Sequence, residues 1–445
     1  MKTYILLLLL IFSLPGIAIC QPDKTPYHHY PYEVFSGVYD GPADPGAGHT
    51  NPFTYILRVD NSPWLRVHFG DCNLGKNSYI EITSLEDEGT QKLDSTNLSH
   101  WHNGSTFFNG EAVRVDLFVA PEDRDIYLEI RELIAGEYVS GGTRSICGLT
   151  DDRVFSYDDA VAREIYISGS DSLGWCTAFI VSNGAHLAAG HCYGGMSFIE
   201  FEVPQSDPDG TLNFSDPDNH YVVKAGFDYH DNGLGDDWLV FDVYANSNTG
   251  LMPYQAQNDF YRMTRDYSPT TLRITGCGKD NDPTGSTGGY NYQNKVQQTH
   301  TGPNLGEVYI GSSEVYWKYE VDTWNAGSGS PVIYYGTNYT IGIHTNGGCY
   351  STGGYNKGTS FENNDLENTI QTFPGSNVKY VDNGHALGGD DGTIFRPYST
   401  VTQGVSGVTT GGILSIVKGY YNESGTLTIT KAMTIEAPVG TVVIY

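Results

Sequence analysis

Hydrophobic and polar residues alternate with a period of two along much of the first third of the chain. Between residues 113 and 119 a valine or leucine stands at every second position, and shorter stretches with this period lie at residues 65–69, 79–83 and 127–131. Such a period, with turn residues between the stretches, predicts antiparallel strands that bury one face. We therefore expect residues 21–146 to form a β-sandwich domain.

The middle of the chain has the same β character. The apolar run at residues 177–181 predicts a buried strand, and Ser182-Asn183-Gly184 predicts the turn after it. Residues 363–373 have apolar side chains at helical spacing, which predicts a helix capped by Asn363 or Asn364. Helical periodicity is otherwise scarce, so the chain is predicted to be mainly β.

The pattern changes again over residues 381–445. Short apolar runs follow one another at close, regular spacing, at residues 413–417, 426–430, 433–435 and 442–444. They predict a short unit that resembles one turn of a parallel β-helix, with residues 398–408 as its cap. One turn cannot bury its own core. The unit must therefore pack on the preceding domain, stack on another chain, or be followed by further turns of the same kind. A small β appendage without the β-helix character is an equally open interpretation.

The first 20 residues have the pattern of a secretory signal. Lys2 provides the charged start, residues 5–12 the apolar run, and residues 18–20 a cleavage site with small side chains. The run is too short to span a membrane. Ile19 before Cys20 is too large for a lipoprotein signal, so we expect soluble secretion with Gln21 as the first residue.

Charge and cysteine content narrow the class of protein. With 24 Lys and Arg against 52 Asp and Glu, the formal net charge is −28. This excess disfavours nucleic acids and anionic membranes as partners. Removal of Cys20 from the 7 cysteines leaves an even number, which favours disulfides in an oxidising compartment. The sequence indicates neither their pairing nor an oligomeric state.

Three motifs carry the candidate chemistry. They are Leu187-Ala-Ala-Gly-His-Cys192, Gly235-Asp-Asp-Trp-Leu-Val-Phe241 and Asp322-Thr-Trp-Asn-Ala-Gly-Ser-Gly-Ser-Pro331. The last places a small nucleophile between glycines, where approach is uncrowded and backbone N–H groups can face a developing oxyanion. Histidine, then aspartate, then serine is one of the known chain orders of a hydrolase triad.

These motifs resemble those of trypsin-like serine endopeptidases with the chymotrypsin fold, and most closely those of secreted bacterial glutamyl endopeptidases. The similarity covers residues 147–375, and it departs at Ala326, where the family has glycine. It implies a double β-barrel protease domain over residues 147–380. It also implies protein or peptide substrates and a secreted, extracellular enzyme without a cofactor.

The resemblance assigns a role to each motif residue. Ser328 is the expected nucleophile, His191 the general base, and Asp237 the residue that orients the imidazole. Asp236 is the neighbouring alternative, and we expect it to be a solvated loop charge. The backbone N–H groups of Ser328 and Ala326 should form the oxyanion hole, although alanine disfavours the backbone conformation that glycine often has there.

Substrate preference remains divided between two interpretations. In the glutamyl enzymes, residues that match Thr323 and His344 hold a substrate carboxylate, which implies cleavage after Glu or Asp. Asp322 matches the acid that selects Lys or Arg in trypsin-like members, so that preference is the alternative. A catalytically inactive relative that works as an adhesin or carbohydrate-binding protein is a third possibility.

The resemblance also implies a Cys176–Cys192 disulfide. Cys72, Cys147, Cys277 and Cys349 remain unassigned. Metal binding is weakly indicated, because His68, His100 and His102 lack the spacing of metal ligands. The acidic pairs Asp207/Asp209 and Asp216/Asp218 could hold a structural calcium ion, but a full calcium-loop motif is absent from the sequence.

Overall fold

The computed structural model describes residues 23–137, 144–168, 171–194, 197–226, 228–265, 269–280, 291–387 and 389–445. The predicted secretory signal, residues 1–20, lies outside these ranges.

Residues 23–136 form two antiparallel sheets. Their elements are β1 (Asp23–Phe35), β2 (Thr50–Arg58), β3 (Trp64–Asn73), β4 (Tyr79–Ser84), β5 (Thr90–Leu93), α1 (Ser95–His100), β6 (Phe108–Asn109), β7 (Ala112–Val119) and β8 (Tyr127–Gly136). One sheet has the order β1-β8-β3-β6 and the other β2-β7-β4-β5. The alternating residues of β7 and β3 bury their apolar side chains in one shared core. The predicted β-sandwich is confirmed.

The middle of the chain, residues 144–372, contains two barrel-like sheets. The elements of its first half are β9 (Arg144–Ser145), β10 (Val154–Phe155), β11 (Val161–Ser168), β12 (Ser172–Ile180), β13 (His186–Ala188), a 3₁₀ turn (Gly190–Cys192), β14 (Ser197–Glu200), a second 3₁₀ turn (Pro217–Asn219), β15 (His220–Val222), β16 (Asp228–Asp231) and β17 (Asp237–Phe241). Strands β11 to β15 and β17 curl into a half-barrel, and a single backbone bridge between Val223 and Val243 joins its two edges.

The second half closes completely. Its elements are α2 (Pro253–Ala256), β18 (Arg262–Met263), β19 (Thr271–Gly276), β20 (Gln298–Gly311), β21 (Glu314–Tyr319), β22 (Thr323–Trp324), β23 (Pro331–Tyr334), β24 (Tyr339–Asn346), β25 (Cys349–Tyr350), β26 (Gly353–Gly354), β27 (Asn356–Ser360) and α3 (Asn364–Thr372). The order β20-β19-β23-β24-β27-β21 returns to β20, which makes a six-stranded barrel. Asn363 caps α3, as predicted. The mainly β double-barrel architecture is thus confirmed.

The sandwich and the half-barrel share one continuous sheet. The first residues of β1 pair with β12, with Asp23 opposite Trp175, and the rest of β1 pairs with β8. The buried Asp23 carboxylate lies 2.8 Å from Lys295 Nζ and 3.3 Å from Lys279 Nζ. The core is continuous too, because Trp175 and Phe214 belong to the same apolar cluster as the sandwich residues.

The C-terminal unit is built from parallel strands. Its elements are β28 (Val378–Val381), α4 (Val401–Gly407), β29 (Ile413–Ile416), β30 (Gly419–Tyr421), β31 (Thr434–Glu436) and β32 (Val442–Ile444). Strands β28, β29 and β31 pair in parallel, and so do β30 and β32, as in a β-helix. The predicted strand at residues 426–430 is wrong, because these residues form no strand. The first strand of the unit begins at Val378, and the boundary at residue 381 stays a prediction.

Two disulfides form, Cys147–Cys349 and Cys176–Cys192. The second is the pair that the resemblance implied, and the first joins the segment before β10 to the closed barrel. Within the described part of the chain, Cys72 and Cys277 have no disulfide partner. Within the described ranges, no helix has the length and apolar character that a membrane crossing requires.

Candidate active site

Strand pairing brings His191 and Asp237 together. Strand β13 pairs with β17, with Ala188 opposite Leu239, so the end of one strand lies beside the start of the other. His191 Nδ1 lies 2.6 Å from Asp237 Oδ2, and the backbone N–H of His191 donates to Asp237 Oδ1 at 3.1 Å. A carboxylate that accepts from Nδ1–H fixes the tautomer, which leaves Nε2 as a proton acceptor.

The turn that carries His191 depends on a close backbone approach. A Cβ at Gly190 would lie 1.8 Å from the carbonyl oxygen of His230, so only glycine fits there. The aspartate is equally confined, because Asp237 is buried and its carbonyl accepts from Thr359 Oγ1 at 2.8 Å. The backbone on which each of the two side chains stands is therefore fixed by its neighbours.

Asp231 is a neighbour that the sequence did not indicate. It lies opposite Asp237 in the β16–β17 hairpin, and its carboxylate is within 4.8 Å of ligand atoms of both His191 and Asp237. Burial and the charge of Asp237 raise the pKa of Asp231, although His191 opposes this shift. The glycines at 233 and 235 were the available signal, because a five-residue hairpin loop over 232–236 places the two aspartates across from each other.

The expectation for Asp236 was wrong. Asp236 is buried rather than solvated, and four side chains donate to its carboxylate, namely Asn232, His230, Asn363 and Trp238. Burial disfavours the charged form, but these hydrogen bonds outweigh it and lower the pKa of Asp236. Asp236 therefore ties the hairpin to the cap of α3.

Ser328 lies in the second of two consecutive turns. Gly327 N–H donates to the Trp324 carbonyl at 2.8 Å, and Ser330 N–H donates to the Gly327 carbonyl at 3.1 Å. The third residue of each turn has a positive φ, 71° at Ala326 and 92° at Gly329. Type II turns need such a φ, which glycine adopts freely and alanine does at a cost of about 1–2 kcal/mol. The departure at Ala326 therefore strains the loop that would form the oxyanion hole.

Backbone contacts place the Ser328 loop against the half-barrel. The carbonyl of Ser328 accepts from Thr177 N–H at 2.8 Å, and Cys192 Sγ lies 3.9 Å from the same oxygen. A Cβ at Gly329 would lie 3.2 Å from the nitrogen of Ala189. The loop thus contacts residues on both sides of His191, and all three predicted catalytic residues lie where the two barrels meet.

The predicted carboxylate ligands are buried in the closed barrel. His344 Nδ1 lies 2.7 Å from the hydroxyl of Tyr319, and its Nε2 has no hydrogen-bond partner in the described part of the chain. Burial, and then the nearby His191, lower the pKa of His344 to about 3. His344 is therefore neutral near pH 7. Thr323, the residue before Trp324, is also buried, and its hydroxyl oxygen accepts a hydrogen bond from Asn356.

Asp322 faces the segment that leads into the closed barrel, residues 144–152, which we call the entry segment. Its carboxylate accepts from the backbone N–H groups of Cys147 at 2.7 Å and of Asp152 at 2.9 Å, and it lies 3.5 Å from His300 Nδ1. Burial raises the pKa of Asp322, although these donors and His300 favour the charged form. The Asp322 carboxylate is therefore held by the entry segment.

Candidate metal ligands cluster in three places within the described ranges. Each cluster brings three possible ligand atoms within 4.8 Å: Cys176/His191/Cys192, Asp152/His300/Asp322 and His191/Asp231/Asp237. The first contains the disulfide, so it offers no thiolate. Neither acidic pair proposed for calcium belongs to a cluster, and Asp209 and Asp218 accept hydrogen bonds from Thr211 and Asn248. Structural calcium remains a prediction.

Comparisons with known proteins gave structural matches only. No protein-family model matches the sequence, and the search of curated proteins found no match. The thermostable serine protease AL20 from an extremophilic microorganism is 12% identical with a TM-score of 0.36, and the match covers 46% of this chain and 92% of that one. The protease Anisep from Arthrobacter nicotinovorans is 12% identical with a TM-score of 0.36, covering 47% and 93%.

A scabies mite inactivated protease paralogue, S-I1, is also 12% identical, with a TM-score of 0.34 and coverage of 46% and 90%. At these identities and TM-scores, the similarities carry no weight for the chemistry of the site. What the site can do has to follow from the geometry of the chain itself.

Proposed function

We propose that the chain is a secreted serine endopeptidase that hydrolyses protein or peptide substrates through His191, Asp237 and Ser328. The observation that carries this proposal is the two-point contact between His191 and Asp237, directly beside the loop of Ser328. A histidine held in one tautomer next to a serine between tight turns is the arrangement that activates a hydroxyl nucleophile. The two disulfides support an oxidising, extracellular location.

The reaction proceeds by acyl transfer. Ser328 Oγ attacks the scissile carbonyl carbon while His191 Nε2 accepts the hydroxyl proton, and Asp237 stabilises the imidazolium. The oxyanion is bound by the backbone N–H groups of Ala326 and Ser328. His191 then gives its proton to the leaving amine, so the C–N bond breaks and an acyl-enzyme remains. Water, activated by the same histidine, releases the acid and restores Ser328.

Cleavage after Glu or Asp is the preference that the charges favour. Asp322 already accepts two backbone hydrogen bonds from the entry segment, so it is poorly oriented to bind a Lys or Arg side chain. His344 is neutral and buried, and it has a ring nitrogen without a hydrogen-bond partner among the described residues. Together with the Thr323 hydroxyl, it offers a substrate carboxylate hydrogen bonds rather than repulsion.

A fluorophosphonate probe and a peptide library test this proposal together. The full-length protein should be labelled, and both labelling and hydrolysis should disappear in Ser328→Ala, because loss of a triad member costs about 10⁴-fold or more. Ser330→Ala is the matched control. Its hydroxyl lies in the same loop but donates to the Gly327 carbonyl at 2.6 Å, so this variant should stay labelled.

Two results would contradict the proposal. Near-normal hydrolysis by Ser328→Ala would remove the assignment of the nucleophile. Dominant cleavage after Lys or Arg that is lost in Asp322→Ser would keep the enzyme class but replace the acidic preference by a trypsin-like one.

A further inference from the structure

One buried side chain, Asn356, connects the entry segment to β22, the strand that carries Thr323. It is the first residue of β27 and is fully buried. Asn356 lies next to Thr323 of β22 and Ser145 of β9. These two strands pair with each other, with Ser145 opposite Thr323. The Cys147–Cys349 disulfide, two residues after Ser145, joins the entry segment to β25. Asn356 thus lies where the entry segment becomes part of the barrel.

The hydrogen bonds of Asn356 leave only one orientation for its amide. Its Oδ1 accepts from the backbone N–H of Cys349 at 3.1 Å and from Ser145 Oγ at 2.5 Å. Its Nδ2 donates to the backbone carbonyls of Val321 at 2.7 Å and Ser145 at 3.0 Å. A flipped amide would put its oxygen against two carbonyls and its nitrogen against an N–H group, so the flip is excluded.

This orientation also decides what the Thr323 hydroxyl can do. Asn356 Nδ2 also lies 3.0 Å from Thr323 Oγ1, so its two hydrogens are shared among three acceptors, this hydroxyl oxygen and the carbonyls of Val321 and Ser145. An amide nitrogen has hydrogens to donate and no lone pair to accept with, so Thr323 Oγ1 is the acceptor here and its own proton points elsewhere. Within the described ranges, the contact with Asn356 is the one hydrogen bond of that hydroxyl, and it leaves the hydroxyl proton without an acceptor. The proton is therefore available for a ligand.

We propose that Asn356 is a positioning residue that turns the Thr323 hydroxyl into a hydrogen-bond donor for the carboxylate of an acidic substrate side chain. The inference rests on the proposed peptidase function and adds a residue outside the three sequence motifs. Aspartate at position 356 would reverse the effect. A carboxylate there accepts the Thr323 proton and adds a negative charge that repels an anionic substrate.

The test compares two nearly isosteric peptide substrates, one with Glu and one with Gln before the scissile bond. For Asn356→Asp and Asn356→Ala, we expect the Glu-to-Gln ratio of kcat/KM to fall about ten- to hundredfold, the effect of one hydrogen bond to a charged group. Most of the change should appear in KM for the Glu substrate. Thr323→Val should lower the ratio similarly, and Asn356→Asp should have little further effect in the Thr323→Val background.

Asn246→Asp is the matched control for lost structure. Asn246 is also buried and donates to two backbone carbonyls, those of Pro217 at 2.8 Å and His220 at 3.1 Å, but it lies in the half-barrel away from Thr323. Its variant should lose stability as Asn356→Asp does while keeping the Glu-to-Gln ratio.

The possible outcomes separate this inference from the proposed function. A wild-type protein that is neither labelled nor active contradicts the peptidase assignment. If the protein is active but the Glu-to-Gln ratio of kcat/KM is unchanged in Asn356→Ala, the role of Asn356 is overturned and the peptidase assignment stays intact. Should the Asn356 variants not fold, an unchanged ratio in Thr323→Val has the same meaning. Equal losses of the ratio in the Asn356 and Asn246 variants would mean that both act through general stability, which also overturns it.

Discussion

The two barrels hold their parts of the candidate site in different ways. In the half-barrel, His191 and Asp237 lie at the ends of paired strands and are joined by two hydrogen bonds. In the closed barrel, Ser328 lies in the second of two consecutive turns, which depend on positive φ angles at Ala326 and Gly329. Strand pairing and charge therefore fix the acid–base pair, whereas backbone conformation fixes the nucleophile. Changes of charge should disturb the first most, and changes of backbone preference the second.

The largest expected effect distinguishes two adjacent carboxylates of the half-barrel. Asp237→Asn should lower kcat about 10⁴-fold while the protein stays folded, because the amide no longer holds His191 in the catalytic tautomer. Asp236→Asn should keep most of its activity and lose about 1–3 kcal/mol of stability, because a buried acceptor of four hydrogen bonds is altered. Kinetics and urea unfolding of both purified variants measure the difference. The reverse order would move the orienting role to Asp236.

A smaller effect tests whether buried charge stabilises the half-barrel. Glu200 is buried with Arg163 Nε at 2.6 Å and His220 Nε2 at 3.3 Å. Burial opposes its charged form, but Arg163 and His220 lower the pKa of Glu200 from 4.5 to about 2. Glu200→Gln should therefore cost about 3–5 kcal/mol at pH 7, since it leaves Arg163 unpaired.

The sign of the pH dependence follows from the lowered pKa. The stability that Glu200 contributes is present above pH 4.5 and is lost as the pH falls towards 2. The difference between wild type and Glu200→Gln, measured by urea unfolding at several pH values, should shrink over that interval. The exposed Glu202→Gln, two residues further on, is the control and should change stability by less than about 0.5 kcal/mol. A difference that stays constant from pH 7 to 2 would contradict this account.

The smallest expected effect concerns the backbone of the nucleophile loop. Ala326→Gly should relieve about 1–2 kcal/mol of strain at its positive φ and lose about 0.8 kcal/mol from its buried methyl group. The net change should be between zero and about 1 kcal/mol of added stability. Ala189→Gly is the matched control. Ala189 is also buried, but with a φ of −81° it has no such strain, so its variant should lose stability. Equal losses in both variants would rule out strain at Ala326.

Features that depend on nearby residues were predictable from the sequence. The period of two at residues 113–119 predicted a strand of the sandwich, because a strand with one buried face requires that period. The cap of α3 at Asn363 was also predictable, because a capping residue directly precedes the helix that it caps. The prediction of a strand at residues 426–430 was wrong, because these residues have β propensity but do not pair with another strand.

The sequence by itself determined the strand pattern and the short motifs in which the candidate chemistry lies, since both are set by residues a few positions apart. Only the tertiary structure decided the partners. It buried Asp236 with four donors, placed Asp231 opposite Asp237, turned Asp322 to the entry segment and joined Cys147 to Cys349. It also ran β1 through both sandwich and half-barrel. These contacts join segments far apart in the chain, and the free energy of burying a polar group depends on which distant atoms surround it.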